Sequence, residues 1–192
     1  MHHVIFHKLL QTEGLSVGIG KDVMTEVVAP GQIPMFIEYD AEGTIAGFIV
    51  AEPFGSVVVN NGFGNILRLS KDIMPSHPCC AVVARNEIVE QHPEAVQELV
   101  NSLVRSGLDA KAQMEETIKI ATAFLSQQEE VVRTVLCDPN ERVTMDKLMP
   151  SLAELEDIQN YLIDTVSVPA ISGKIDMEAF VDLRFAEKAG AK

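Results

Sequence analysis

The strongest constraint on the fold is an apolar run, Thr44–Ala51 (TIAGFIVA), which begins after Gly43 and ends before Glu52 and Pro53. A half-buried strand alternates apolar and polar residues, whereas a strand of a parallel sheet is apolar almost throughout because both its faces are buried. Such a sheet is covered by helices on its faces. The run therefore predicts an α/β fold.

Helical and strand patterns alternate along the first part of the chain, as an α/β layer with parallel strands requires. The apolar spacing predicts a helix over residues 1–13 that ends at Gly14, and Pro34 and Gly43 suit the two ends of a second helix. The other expected elements are strands over residues 22–28, 44–51 and 66–69 and a short helix that runs through Val59.

After residue 75 the pattern becomes mainly helical. One further apolar strand is expected at Cys79–Arg85 (CCAVVAR), followed by a long amphipathic helix from Pro93 to about Met114. Amphipathic helices bury their apolar stripe against another layer. Either the strands of residues 1–70 provide that layer, or a missing segment does. The remaining helices are expected at 115–126, 128–137, 151–164 and 176–189, with breaks at Asp138-Pro-Asn140 and Val168-Pro169.

The charge is one-sided: 28 acidic residues stand against 15 basic ones, for a net charge of −13. This balance argues against nucleic acid and anionic membranes as partners. It leaves an anionic ligand open, because helix N-termini can make a pocket locally positive. No apolar run reaches the length of a membrane span. The N-terminus, MHHVIFHKLL, does not resemble a signal peptide, so either a signal has been removed or the sequence begins partway through a longer protein.

The three cysteines, Cys79, Cys80 and Cys137, predict no disulfide framework, since the count is odd and adjacent cysteines rarely bridge each other. The adjacent pair follows a histidine and a proline, as in some metal sites. A second cysteine pair at ligand spacing is missing, and Cys80 begins an apolar strand. We therefore expect buried structural thiols here.

Histidines stand at the start of the first predicted helix. His3 and His7 have the i, i+4 spacing of metal ligands, but no carboxylate or cysteine nearby completes a set, and we predict neither a metal nor a cofactor. His2 and His3 lie where the free N–H groups and the dipole of a helix attract anions. The alternative is that these are ordinary exposed histidines.

Three segments are expected to converge at one edge of the sheet: His2-His3, Pro30-Gly31-Gln32 and Glu52-Pro53. Glu52 follows a buried parallel strand directly, and open α/β sheets bind their ligands at the carboxyl ends of such strands. The alternative for Glu52 is a structural carboxylate that caps neighbouring backbone N–H groups.

Catalytic patterns are absent from the sequence. It contains no nucleophile elbow with a Ser-His-Asp order, no phosphate-binding P-loop and no prominent pair of carboxylates. Asn61-Gly-Phe-Gly64 lacks the third glycine of a dinucleotide loop. These patterns offer little for catalysis, and we expect that the protein is not an enzyme.

Several stretches, taken in order, resemble the periplasmic substrate-binding proteins of nitrate/sulfonate/taurine ABC importers, whose fold is also found in thiamine-pyrimidine proteins. They span nearly the whole chain. The stretches are Glu13-Gly-Leu15, Gly20-Lys-Asp-Val23, Ala29-Pro-Gly-Gln32, Gly43 to Phe54, Ser70-Lys-Asp-Ile73, His77-Pro-Cys-Cys80, His92-Pro-Glu-Ala-Val-Gln97 and Phe180-Val-Asp-Leu-Arg-Phe-Ala186.

The resemblance implies a two-lobed fold of the periplasmic-binding-protein type II, with one lobe complete and the other partial. Residues 1–75 would be the second lobe, and residues 76–192 the mostly helical part of the first lobe to which the chain returns. The front of the first lobe would be absent. The full-length form would be periplasmic or an extracytoplasmic lipoprotein that delivers its ligand to an ABC permease, and a homodimer through exposed lobe surface stays open.

The resemblance also implies roles for single residues. His2 corresponds to an anion-contacting histidine at a helix start, Pro30, Gly31 and Gln32 to the loop facing the cleft, and Glu52 and Pro53 to its hinge-side edge. Nitrate-type members often carry a basic residue where this sequence has Met74-Pro75-Ser76. Nitrate itself is therefore in doubt, and sulfonates, other small anions and organic ligands stay open.

Two alternatives belong to other functional classes. One is a thiamine-pyrimidine type of enzyme or binder on the same fold, which a vitamin B6 binding test would separate. The other is an effector-binding regulatory domain, against which the missing helix-turn-helix segment and the acidic charge argue.

Overall fold

The computed structural model describes residues 1–165 and 173–192. A 3-10 turn, Pro30–Gln32, leads directly into α2. The predicted break at Val168-Pro169 lies outside the described residues. The helices of the described part are α1 (His2–Thr12), α2 (Ile33–Tyr39), α3 (Phe54–Asn60), α4 (Ser70–Ile73), α5 (Asn86–Gln91), α6 (Pro93–Ala112), α7 (Met114–Leu125), α8 (Glu129–Cys137), α9 (Leu152–Thr165), α10 (Met177–Phe180) and α11 (Arg184–Lys188).

The long amphipathic segments form the predicted helices, with ends that differ by no more than two residues: α6, α7, α8 and α9. The single helix predicted over residues 176–189 is wrong, because the structure divides it into α10 and α11. Val181 between them is extended, and the Asp182 carboxylate accepts a hydrogen bond from the backbone N–H of Arg184 at 3.2 Å. Such a side-chain contact offers the backbone an alternative to continuing the helix.

The end of α1 is fixed by Gly14, as predicted. Gly14 has a φ of 73°, a left-handed conformation that costs a glycine little. Its N–H donates to the carbonyl of Gln11 at 3.0 Å, and the N–H of Leu15 donates to the carbonyl of Leu10 at 2.9 Å. This pair of bonds is the Schellman motif, which satisfies carbonyl groups that the helix end leaves open.

The strands predicted at residues 22–28, 44–51, 66–69 and 79–85 are wrong for the described structure. No β-ladder occurs within residues 1–165 and 173–192, where one isolated parallel bridge joins Val17 to Val23. Apolar patterning reports a preference for burial, but a strand also needs a neighbouring strand to pair with its N–H and C=O groups. Without one, apolar side chains in these segments stay exposed: Leu67 is 77% and Val83 86% exposed.

Local hydrogen bonds use some of the groups that a ladder would need. The Asp40 carboxylate accepts from the N–H of Thr44 at 3.0 Å and of Ile45 at 2.7 Å, and from the Thr44 hydroxyl at 2.8 Å. These bonds hold the pKa of Asp40 below its usual value, the Ile45 bond contributing most. The start of the apolar run therefore forms a turn that is hydrogen-bonded to the end of α2.

The expectation of buried cysteines is also wrong. Cys79, Cys80 and Cys137 are all exposed as free thiols. Burial of the adjacent pair depended on a strand over residues 79–85, and without that strand nothing in the described structure covers the two thiols.

The described residues form two compact units, of which the first, unit 1, comprises Met1–Ser76 and Ile118–Val143. In it α1 packs on α4, α2 on α3 and α3 on α8. The apolar faces of these helices supply the core. Its buried side chains include Val4, Ile5, Leu10, Val58, Ile118, Val131, Val132 and Val135.

Unit 2 comprises His77–Thr117 and Thr144–Lys192. Its long helix α6 packs on α5 and α11, where Phe185 is buried, and α9 packs on α10. The buried amide of Gln159 donates to the carbonyl of Ile175 at 2.9 Å and accepts from its N–H. This paired contact satisfies the amide in the interior and ties Ile175 to α9.

Among the helices of the described residues, none is both long and apolar enough to cross a bilayer. The longest, α6, has 20 residues and carries charged residues along its length.

Gly107→Ala tests the packing of α6. Alanine favours a helix over glycine by about 1 kcal/mol. At Gly107, which is buried, a methyl group would overlap the carbonyl of Met145 and meet the side chain of Leu148. Overpacking costs about 1–3 kcal/mol, and the upper part of that range applies here because the overlap is with backbone atoms. After the gain from alanine we expect a net loss of about 1–2 kcal/mol in the free energy of unfolding, measured by urea denaturation.

The matched control is Ser106→Ala, at an exposed position of the same helix. It should change the unfolding free energy by less than about 0.5 kcal/mol. A Gly107→Ala variant as stable as the wild type would show that Met145 does not approach the helix as described.

Candidate ligand-binding site

The start of α1 carries the two histidines of the predicted site. His2 and His3 occupy the first two helical positions, and the preceding residue, Met1, makes no side-chain capping hydrogen bond. His3 is exposed and His2 is partly buried. The first N–H groups of this 11-residue helix have no acceptor within the helix, and the helix dipole favours an anion at this end.

The Pro30–Gln32 turn lies against the start of α3. A methyl group added at Gly31 would stand 3.8 Å from the ring of Phe54. The N–H of Gln32 donates to the carbonyl of Ala29 at 2.9 Å, which closes the turn. Gly31 and Gln32 are both exposed. The turn and the residues that follow Pro53 are thus neighbours, as the sequence predicted for the segments that carry them.

Glu52 uses both of its carboxylate oxygens within the protein. Oε2 accepts a hydrogen bond at 3.1 Å from the N–H of Ser56, the third residue of α3. This is the capping role that was the alternative for Glu52. Oε1 accepts from Nη2 of Arg142 in an ion pair. Glu52 therefore fixes the helix start that Pro53 leads into.

Arg142 is the polar residue of this region that the sequence did not reveal. Its side chain is only 4% exposed. Nη2 also donates to the hydroxyl of Ser56 at 2.9 Å, and Nη1 donates to the carbonyl of Asp138 at 3.0 Å. Nε is buried and has no hydrogen-bond acceptor among the described residues. No local pattern marks this arginine, because its partners lie 90 and 86 positions earlier in the chain.

Two of the three predicted segments come together in unit 1, and the third lies on another helix pair. The turn at Pro30–Gln32 and the Glu52-Pro53 segment meet where α2 packs on α3, whereas the histidines belong to α1, which packs on α4. The predicted convergence depended on a sheet edge. In the described residues that edge is not formed, so the helix pairs decide the neighbours.

A second histidine contact lies within α1. The ring centroids of His3 and His7 are 4.1 Å apart. His7 is partly buried, and its Nε2 has no hydrogen-bond partner among the described residues. Burial lowers the pKa of His7 below its ordinary value, and the nearby charge of protonated His3 lowers it further. Both causes favour the neutral form of the His7 imidazole over the charged form.

The groups of this region that can donate hydrogen bonds are the first N–H groups and the imidazoles of α1, the N–H of Gly31 and the side-chain amide of Gln32. No cluster of three or more His, Cys, Asp or Glu side chains suited to a metal ion occurs in residues 1–165 or 173–192. Arg142 compensates the charge of Glu52 beside the turn, which reduces the repulsion that an anion would meet there.

The chain is similar in sequence to known proteins. Residues 1–124 match the sequence pattern of the NMT1-like family. The chain is 28% identical over 104 residues to the nitrate/nitrite binding protein NrtA of Nostoc sp. strain PCC 7120. That alignment covers 53% of this chain and 23% of the relative, so the chain spans less than a quarter of the length of the relative it matches. No solved structure matches.

Arg142→Met tests the buried ion pair. Removing one partner of such a pair leaves the other uncompensated, which costs about 3–5 kcal/mol when both are fully buried. Glu52 is 24% exposed, so we expect a loss nearer to about 2–4 kcal/mol in the free energy of unfolding. In a double-mutant cycle with Glu52→Gln, the coupling should exceed about 1 kcal/mol.

Arg133→Met is the matched control, since Arg133 pairs with Glu129 on α8 with side chains that are 42% and 57% exposed. Its cost should stay below about 1 kcal/mol. Equal losses in the two methionine variants would contradict a special role for Arg142.

The lowered pKa of His7 predicts a loss of stability in acid. In the unfolded chain the imidazole titrates near pH 6.5, about its ordinary value. As the pH falls through that value, the unfolded chain binds the proton before the folded protein does. The contribution of neutral His7 is therefore complete above about pH 6.5 and is lost progressively below it.

Urea midpoints measured from about pH 7.5 to about pH 5.5 should fall less in His7→Gln than in the wild type. His92→Gln changes an exposed histidine of unit 2 and should leave the wild-type decline intact. A His7→Gln variant with the full decline would assign the effect to other groups.

Proposed function

Because the chain belongs to the NMT1-like family, we propose that it is the substrate-binding component of an ABC importer that takes up a small anion or organic ligand of the nitrate, sulfonate or taurine type. It binds this ligand without chemical change and delivers it to an ABC permease. The observation that carries the proposal is the family match over residues 1–124, which contains every residue of the predicted site.

The name of the relative supports a small anion as the ligand. That protein is a nitrate/nitrite binding protein, and its similarity to this chain extends over 104 residues. Nitrate is a small planar anion and a sulfonate is a tetrahedral anionic group, and each accepts several hydrogen bonds at once. Such groups suit a helix start combined with backbone N–H donors.

In the binding mode that we propose, the ligand is held by groups that donate hydrogen bonds. The first N–H groups of α1 and the imidazoles of His2 and His3 supply one set, and the N–H of Gly31 and the side-chain amide of Gln32 supply the other, with Pro30 and Pro53 beside them. In the described residues the two sets lie on different helix pairs, so this binding mode requires the two-lobed fold proposed below, in which they would converge. Glu52 is paired with Arg142 and bonded to Ser56, and so fixes the chain where it enters α3. Its role in this binding mode is indirect: it shapes this edge of the site, and its charge is balanced by Arg142.

The complete fold is proposed to be the two-lobed, type II architecture of periplasmic binding proteins. Residues 1–75 belong to the second lobe and residues 76–192 to the returning part of the first. In that fold, partner strands would cover the apolar side chains that the segments 22–28, 44–51, 66–69 and 79–85 now expose. Closure of the lobes would bury the ligand, and the closed form would dock on the permease.

The same proposal places the protein outside the cytoplasmic membrane, in the periplasm or as an extracytoplasmic lipoprotein. The exposed apolar segments also leave a homodimer open, because a second copy could cover them.

Ligand binding tests the proposal directly. Nitrate, taurine and a short alkanesulfonate should each be titrated calorimetrically, and at least one should bind. At a free concentration of 100 times its Kd, a ligand that binds only the folded protein stabilises it by about 2.7 kcal/mol, which thermal unfolding detects. Since hydrogen bonds to charged groups contribute about 1.5–3 kcal/mol, His2→Ala should weaken binding about tenfold or more.

His92→Ala is the matched control, because His92 also stands at the start of a helix, α6, but in unit 2. It should leave the affinity unchanged. Equal weakening by both substitutions would remove His2 from the site. Binding of pyridoxal phosphate in place of all three anions would support the thiamine-pyrimidine alternative and contradict the transport proposal.

A further inference from the structure

The adjacent cysteines Cys79 and Cys80 form a pair of exposed thiols whose sulfur atoms are 3.9 Å apart. We propose that the two sulfurs together bind one soft, thiophilic centre: a trivalent arsenical, or a soft divalent metal ion such as cadmium. The site lies in unit 2, outside the predicted ligand site, and the inference does not depend on the transport function.

A disulfide between the two residues is the competing fate, and the backbone disfavours it. Consecutive Cα atoms are about 3.8 Å apart across a trans peptide, whereas residues joined by a disulfide usually have Cα atoms about 4.4–6.8 Å apart. The two sulfurs, now 3.9 Å apart, would also have to move together to the disulfide bond length of about 2.05 Å.

A single atom between the sulfurs fits without that approach. Sulfur bonds to a borderline-soft ion such as Zn²⁺ measure about 2.3 Å. With the observed separation of 3.9 Å, two bonds of that length enclose an angle of about 115° at the bound atom, close to the tetrahedral value. Bonds to the larger cadmium ion are longer and narrow this angle. Trivalent arsenic is pyramidal and takes an angle below the tetrahedral one, which a small approach of the two sulfurs provides.

Like charges on two neighbouring sulfurs repel each other once both thiols are deprotonated. A cation or metalloid bound to both sulfurs removes that repulsion. The pair therefore gains more from binding one centre in common than either thiol gains alone.

The reactions balance without an oxidant. Two thiols and an organoarsenic(III) oxide give one molecule of water and an arsenic atom bonded to both sulfurs, and arsenic keeps its oxidation state. With a divalent cation the two thiols each release a proton and form two sulfur–metal bonds. The described residues offer no third ligand in a metal-binding cluster, so the organic group of the arsenical or water completes the coordination.

Cys137 provides a control within the same chain, since it is an exposed thiol with no cysteine beside it in the sequence. A single thiol can also react with an arsenical, but a monothiol in excess displaces it. Chelation by two linked groups raises the overall affinity by about 10²–10⁴ over that of either group. Resistance to monothiols thus distinguishes the pair from a lone cysteine.

To test this, the full chain is first reduced, the reductant is removed, and phenylarsine oxide is added. The intact mass and the remaining free thiols are then measured. We expect one phenylarsenic group per chain that persists in excess mercaptoethanol and is removed by dithiothreitol. Cys79→Ser and Cys80→Ser should each weaken retention about a hundredfold or more, and Cys137→Ser should behave as the wild type.

A cadmium titration, followed by sulfur-to-metal charge-transfer absorption, forms the second arm. Uptake of both probes by the pair shows a site for soft centres in general, and retention of the arsenical alone restricts it to metalloids. Retention of cadmium alone restricts it to metal ions. If neither probe is retained, or if either serine variant at the pair retains the probe as the wild type does, the proposal is overturned.

Discussion

Unit 1 contains a guanidinium that is almost completely withdrawn from water. An ionised group in the interior must be paired and hydrogen-bonded, because the cost of leaving it uncompensated amounts to several kcal/mol. Arg142 meets this requirement with Glu52, Ser56 and the carbonyl of Asp138. The turn after α8, the start of α3 and the Glu52 carboxylate are therefore parts of one polar network. Phe54 at that helix start also supports the Pro30–Gln32 turn.

This network bears on how so acidic a protein could bind the anion that we propose as its ligand. The net charge is −13, and an unpaired carboxylate beside the turn would repel the ligand. Pairing with Arg142 balances that charge locally. The attractive groups in the proposed binding mode are the N–H donors at the start of α1, whose effect is confined to the first turn of that helix, and the N–H of Gly31. Local geometry, and not net charge, would then decide the sign of the potential at the proposed site.

The helices and the apolar segments differ in how much of their structure is local. An α-helix satisfies its backbone within one segment, so the period of the apolar residues and the residues at its ends specify it, as for α6 to α9 and for Gly14 at the end of α1. A strand is completed only by a second strand. The segments at 44–51 and 79–85 have the composition of buried strands, yet their side chains are largely exposed in the described structure. The prediction that Cys79 and Cys80 are buried was wrong for the same reason, because it depended on a strand at 79–85.

The sequence by itself determined the long helical segments, the family and the charge, because each depends on local periodicity, ordered motifs or composition. It also predicted that His2-His3, Pro30–Gln32 and Glu52-Pro53 would converge. In the described structure the Pro30–Gln32 turn and the chain after Pro53 are neighbours, and the histidines lie on another helix pair. The tertiary structure alone decided that Glu52 is paired with Arg142, that α1 and its histidines lie against α4, and that Cys79 and Cys80 are exposed as a close pair. These features depend on contacts between residues far apart in the chain or on the absence of a covering strand. No periodicity in the sequence records them.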